Sequence, residues 1–101
     1  MVSVISETRV KPGQEAAWDA AYHERAADAR SQPGWVDLHL LMPEDDPQTR
    51  VIVGHWRDRQ AWARWHDTDI FHQTRDRLDA ATESGGEHRW YDVVEDQGAT
   101  S

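Results

Sequence analysis

Between Val53 and His66 an apolar run ending at Trp56 turns at Arg57 and Asp58 into a short helical stretch carrying Trp62 and Trp65. Three of the chain's six tryptophans therefore meet at one strand-to-helix corner. An indole is large, and its N–H requires a partner when it is buried. Any architecture that holds this corner must either pack the rings as core or leave a flat-walled aromatic recess among them, and residue types alone leave both readings open.

The remaining segments limit the architecture. Residues 2–10 are β-branched and partly alternating, which predicts a strand broken by Lys11-Pro12-Gly13. From Glu15 to about Ser31, Trp18, Ala21, Tyr22, Arg25 and Ala29 recur at helical spacing, and Gln32-Pro33-Gly34 ends that helix. Trp35–Met42 reads as a second strand and the acidic, two-proline segment 43–48 as a loop. Arg50–Trp56 is the third strand. Asp58 and Thr68 are N-cap residues for a helix holding Trp62 and Trp65 and for one running through Ile70, Phe71, Thr74 and Leu78 to about Ala80. Ser84–Glu87 is expected as a turn, His88–Val94 as the fourth strand and residues 95–101 as a polar tail. This βαββαβ order predicts one α+β domain over residues 2–94, a ferredoxin-like four-stranded antiparallel sheet with helices on one face.

Two strands carry bulky residues on both faces. Leu38, Leu40 and Met42 alternate with Trp35 and Leu41 on the second, and Trp90 and Val94 with Tyr91 and Val93 on the fourth. The helix-free face then needs cover, and in a chain of 101 residues the expected cover is a second copy packed sheet on sheet, a homodimer.

Charge narrows the partners. Nineteen acidic against eleven basic residues leave a formal −8, which disfavours nucleic acid and anionic membranes. No window approaches the roughly 20 apolar residues of a membrane span, and the N-terminus lacks the basic start of a signal peptide, so a soluble, cytoplasmic protein is expected. The absence of cysteine excludes disulfides, thiolate chemistry and cysteine-based metal sites. His23-Glu24 and His66-Asp67 are adjacent rather than three or four residues apart, so they read as solvated faces and not as metal ligands.

Val10-Lys11-Pro12-Gly13, Gln32-Pro33-Gly34-Trp35, and the run His55-Trp56-Arg57-Asp58-Arg59-Gln60-Ala61-Trp62-Ala63-Arg64-Trp65 followed by Asp69-Ile70-Phe71 resemble, in this order, the antibiotic biosynthesis monooxygenase (ABM) family of dimeric α+β barrels. The resemblance spans residues 2–94. It implies oxygen-dependent oxidation of a small aromatic or polyketide-like substrate between helices and sheet, with no cofactor expected. In the quinone-forming branch the substrate supplies the electrons: a phenol loses its proton and the anion reacts with oxygen. On that reading Trp65 is a pocket wall or hydrogen-bond donor. Ser6, in phase with Val2, Val4 and Thr8 and so facing the helices, His55 and His39 are polar groups where a pocket wall could lie. Arg75 holds an anionic oxygen, and Trp62, Trp56, Phe71 and Tyr22 bind the ring. Each polar candidate also has a packing reading: Ser6 as filler beside a helix, His55 as a core imidazole, His39 as an interface residue.

A heme-degrading branch, the IsdG type, is the alternative. Its strand Asn falls on Ser6, its Trp on Trp65 and its axial His on Thr74 or Arg75, so two of three positions depart from the pattern. His72, one turn before Arg75, is then the candidate iron ligand if heme binds; otherwise it is an exposed helix residue. A non-catalytic dimer that binds a small ligand is the third reading.

Overall fold

The computed structural model of the protein describes residues 1–98. Seven elements follow in order: β1 (Val2–Val10), α1 (Glu15–Ala29), β2 (Trp35–Leu41), β3 (Thr49–Trp56), α2 (Arg59–His66), α3 (Asp69–Ala80) and β4 (Thr82–Asp92). The strands form one antiparallel sheet in the order β2-β3-β1-β4, a ferredoxin-like α+β fold. Local chemistry sets the short helices. The Asp58 carboxylate accepts from the Ala61 N–H at 2.8 Å and the Thr68 hydroxyl from the Phe71 N–H at 3.3 Å, so α2 and α3 each start on a side-chain cap.

Alternation along the strands sorts the sheet into two faces. Val4 and Ser6 of β1 lie opposite Gly54 and Ile52 of β3 and opposite Trp90 and His88 of β4, on the face the helices cover. Ser3 and Ile5 lie opposite His55 and Val53, with Asp37 and His39 beyond them, on the other face. Two buried clusters fill the helix-covered side. Val4, Ala29, Trp56, Ala61, Trp65 and Phe71 form one, and Val10, Trp18, Ala21, Tyr22, Leu78 and Ala81 the other.

Two expectations from the sequence are corrected by irregular backbone. The register of β2 against β3 shifts between Trp35 and Asp37, so Trp35, expected opposite Leu38, instead packs with Leu38 against the indole cluster. Ser84–Glu87, expected as a turn, lies inside β4, which also ends at Asp92 rather than Val94. Gly85 has φ +108 and pairs with Thr8 beside a register shift, and a side chain there would stand 2.4 Å from the Glu7 carbonyl oxygen. The glycine pair is thus a bulge that lets β4 cross β1 at close range, not a reversal of direction. Of the expected polar tail, Glu95–Gly98 has no regular structure, and residues 99–101 lie outside the described residues. No helix among the described residues is long and apolar enough to cross a membrane.

Candidate functional site

A cavity of about 350 Å³ opens between the helices and the sheet, and a recess of about 50 Å³ adjoins it. Ser6, Arg25, Ile52, His66, Phe71 and His88 border both. Ser6 pairs with Ile52 on one side and His88 on the other, so a small side chain lies in the floor between two larger ones. Helical period supplies the opposite wall. In α3, Phe71, Thr74 and Leu78 are buried, and Arg75 lies on the cavity's edge. In α1, Tyr22 and Arg25 lie three residues apart on one face.

The recess is rich in hydrogen-bond donors that lack acceptors. Trp56, Trp65 and Tyr22 line it and are 0%, 5% and 6% exposed. Among the described residues neither indole N–H nor the phenol oxygen has a hydrogen-bond partner. Leaving a buried donor unpaired costs about 1–3 kcal/mol, so three residues of this lining carry donors that the rest of the described chain does not satisfy. Burial raises the Tyr22 pKa far above the ordinary phenol value, which keeps its O–H protonated.

His66 faces the same space. Its Nδ1 lies 2.8 Å from the Trp62 carbonyl oxygen. A carbonyl only accepts, so Nδ1 carries the hydrogen and Nε2 presents a lone pair. The ring lies 3.5 Å from that of Trp62 and 3.8 Å from that of Phe71, centroid to centroid. Burial lowers its pKa from 6.5 to about 4; the Trp62 carbonyl opposes this, and His88, Arg25 and Arg75 reinforce it, leaving a neutral imidazole at pH 7. His88 is also held below its ordinary value, by burial first and then by Arg25.

Arg25 braces α1 against α3. Its Nε donates to Thr74 Oγ1 at 3.0 Å and its Nη2 to the Phe71 carbonyl oxygen at 3.1 Å, and its guanidinium lies over the Phe71 ring. Burial, then the nearby Arg75 charge, lowers its pKa to about 10, so it stays cationic at neutral pH.

Of the residues singled out in the sequence, Trp65, Trp62, Trp56, Phe71, Tyr22, Ser6 and Arg75 are brought to this cavity and its recess. Three histidines are not. His55 and His39 lie on the helix-free face because their positions in β3 and β2 have the opposite parity to Ile52 and Leu38. The His55 Nδ1 lies 2.5 Å from Asp37 Oδ1, a carboxylate pairing rather than a cavity wall. His72 is exposed, one residue beyond Phe71 and off the face that Phe71, Thr74 and Leu78 present inward. The heme reading is not supported by its candidate ligand, which lies off the cavity; separately, among the described residues no group of three His, Cys, Asp or Glu could hold a metal ion.

Among the cavity residues outside the sequence candidates are His66, His88 and Arg25. His66 was expected on a solvated face with Asp67, and His88 was only the first residue after an expected turn. Arg25 was a member of an amphipathic stripe. The available signal for His66 was its four-residue spacing from Trp62, which stacks the two rings on one helix face.

Residues 1–77 match the family model described as antibiotic biosynthesis monooxygenase. Among solved structures, a provisionally assigned antibiotic biosynthesis monooxygenase of Nitrosomonas europaea superposes with a TM-score of 0.88 at 20% identity, covering 94% of this chain and 100% of its own. SnoaB, a cofactor-independent oxygenase from Streptomyces nogalater, superposes at 0.83 with 24% identity, covering 99% of this chain and 97% of its own. PA3566 from Pseudomonas aeruginosa does so at 0.83 with 18% identity, covering 93% and 94%. At these identities the likenesses carry the fold. Among curated proteins no sequence matches the chain.

Proposed function

The chain belongs to the antibiotic biosynthesis monooxygenase family, and from that premise we propose that its cavity oxidises a small phenol with molecular oxygen and no bound cofactor. The observation that carries this reading is a recess lined by Trp65, Trp56 and Tyr22, whose donors have no partner among the described residues, and by a neutral His66 whose Nδ1 is bound to the Trp62 carbonyl. A phenol is the complementary ligand: its oxygen accepts from an indole N–H while its hydrogen is donated to Nε2. The similarity to SnoaB, itself a cofactor-independent oxygenase, agrees with it.

In the reaction the phenolic proton passes to His66 Nε2. An imidazole with a pKa of about 4 is a weak base. The positive charges of Arg25 and Arg75 that disfavour imidazolium also favour phenolate, however, so the same field lowers the pKa of the phenol the base must deprotonate. Trp65 donates to the oxyanion as it forms. The electron-rich ring carbon para to that oxygen attacks O2, and the resulting hydroperoxide loses water. One oxygen atom becomes the new quinone carbonyl. The other leaves as water with the former phenolic and ring hydrogens, which balances one phenol and one O2 against one quinone and one water. Trp62, Trp56, Phe71 and Tyr22 bind the ring, Ser6 lies in the floor, and Arg75 stabilises negative charge at the entrance.

A second copy is proposed to cover the helix-free face, where Ile5, Val51, Val53, Leu41 and Tyr91 lie together and Leu41 and Tyr91 are 48% and 41% exposed. Sedimentation at micromolar concentration is expected to give a dimer, and a monomer would overturn that part. The activity is tested by oxygen uptake over hydroxylated anthrones and naphthols, with quinone and consumed oxygen expected in equal amounts. If no member of that panel is consumed, the oxygenase reading falls.

A further inference from the structure

Two guanidinium groups share one phenyl ring at the wider cavity. Arg25 Cζ stands 3.8 Å from the Phe71 centroid and Arg75 Cζ 5.5 Å from it. Arg25 directs its N–H groups to neutral acceptors, the Thr74 hydroxyl and the Phe71 carbonyl. Among the described residues neither arginine has a carboxylate within ion-pair distance. Among the described residues the one carboxylate on the cavity wall is Asp79, a turn beyond Arg75, so there two cations face one anion. This happens in a chain with nineteen acidic residues and a formal charge of −8. Arg50, by contrast, is held by both oxygens of Asp19 and Arg77 pairs with Glu24; among the described residues Arg30, Arg59, Arg64 and Arg89 also lack an ion pair, so what sets Arg25 and Arg75 apart is their shared place on the cavity wall.

The contrast is physical. Like charges over one ring repel: burial first and the repulsion from Arg75 second hold Arg25 below its ordinary range, with Asp79 opposing them. Phe71 partly offsets the repulsion through cation–π attraction to each guanidinium. A planar anion would offset it much further, because a guanidinium binds a carboxylate through paired N–H donors in a fixed fork. Neither cavity imidazole supplies the positive charge, since His66 and His88 are both held toward the neutral form. The attraction is therefore specific to the arginines.

We propose that Arg75, with Arg25 behind it, is a carboxylate-binding end of the site, so that the ligand is an aromatic acid whose ring spans the cavity and whose phenolic oxygen enters the recess. This rests on the reading of the cavity as an aromatic-substrate site. The carboxylate and the phenolic oxygen are then recognised by separate groups, the first by charge at the entrance and the second by N–H and O–H donors inside.

Calorimetric titration with 6-hydroxy-2-naphthoate and 2-naphthol tests it, because the two differ by a carboxylate at the end of the ring system opposite the hydroxyl. The naphthoate is expected to bind about tenfold or more tightly, with the preference shrinking at high salt. Net charge works against this outcome, since a chain at −8 repels anions in general. Arg75→Gln is expected to abolish the preference by weakening the naphthoate about tenfold or more and naphthol far less, and Arg75→Lys to retain part of it. A naphthoate no tighter than naphthol, or an Arg75→Gln variant that weakens both alike, would overturn the carboxylate end while leaving the aromatic site standing. Binding of neither compound would take down the aromatic-site reading and this inference with it.

Discussion

Trp18 and Trp65 are buried to nearly the same degree, at 2% and 5% exposure, and each stacks on another ring, Tyr22 at 5.5 Å and Trp56 at 5.3 Å. Their N–H groups differ. Trp18 Nε1 donates to the Thr82 hydroxyl at 3.3 Å and so ties α1 to the start of β4. Trp65 Nε1 has no partner among the described residues. Burial does not separate a tryptophan that holds the fold from one available to a ligand; the destination of the indole hydrogen does.

Substitutions can break that comparison. Trp18→Ala should have the largest effect on the fold, about 3–5 kcal/mol, from lost packing and a cavity; chemical denaturation measures it. Trp18→Phe keeps most of the packing and loses one hydrogen bond, so about 1 kcal/mol of stability should go, and, since Trp18 also lines the wider cavity, turnover should fall less than in Trp65→Phe. Trp65→Phe should do the reverse. Its stability should change little because no bond within the chain is lost, while turnover in the oxygen-uptake assay falls about tenfold or more, beyond any loss in binding. Equal stability losses in the two phenylalanine variants would erase the distinction.

The imidazole at the Trp65 end gives a subtler test. A histidine whose folded pKa lies below its unfolded value binds fewer protons when folded between the two. Its contribution is therefore full above about 6.5 and is lost as pH falls towards about 4. Urea denaturation across that window should show stability falling with pH in the parent and falling less steeply in His66→Phe. In the parent the acid limb of the rate profile should lie near 4 rather than at an ordinary imidazole value. A limb near 6.5 that His66→Phe leaves in place would show that another group accepts the proton. The smallest effect belongs to His72→Ala, on the exposed side of α3, which should alter stability by no more than about 0.5 kcal/mol and leave turnover as it was.

What could be read from the chain divides by range. Asp58 and Thr68 announce their helices because a cap acts over three residues, and Ser6 declares its face because strand parity is a local rule. The same parity failed for Trp35, because the register shift that turns it inward depends on how β2 meets β3. Gly85-Gly86 carries the composition of a turn, and only β1 running alongside reveals it as a bulge. At the cavity, the indoles and Arg75 followed from helical period and from the family resemblance. Arg25 gains its position from Thr74 and Phe71, forty-six or more residues away, and His88 from its pairing with Ser6. Those are properties of assembled surfaces, to which no window of the sequence has access.

The bulge in β4 also sets what an engineer could do with the entrance. Gly85 and Gly86 form part of the cavity wall, so on that side the rim has no side chain to trim. A methyl group at Gly85 would collide with the Glu7 carbonyl; at Gly86 it would meet nothing within 4 Å, but the backbone, at φ +95, is one that side chains resist by about 1–3 kcal/mol. The doorway can thus be narrowed from the strand, at a cost in stability, but not widened there. Variants selected to admit bulkier guests should accumulate their changes across the opening on α3, at Leu78 and Asp79, and leave the two glycines untouched.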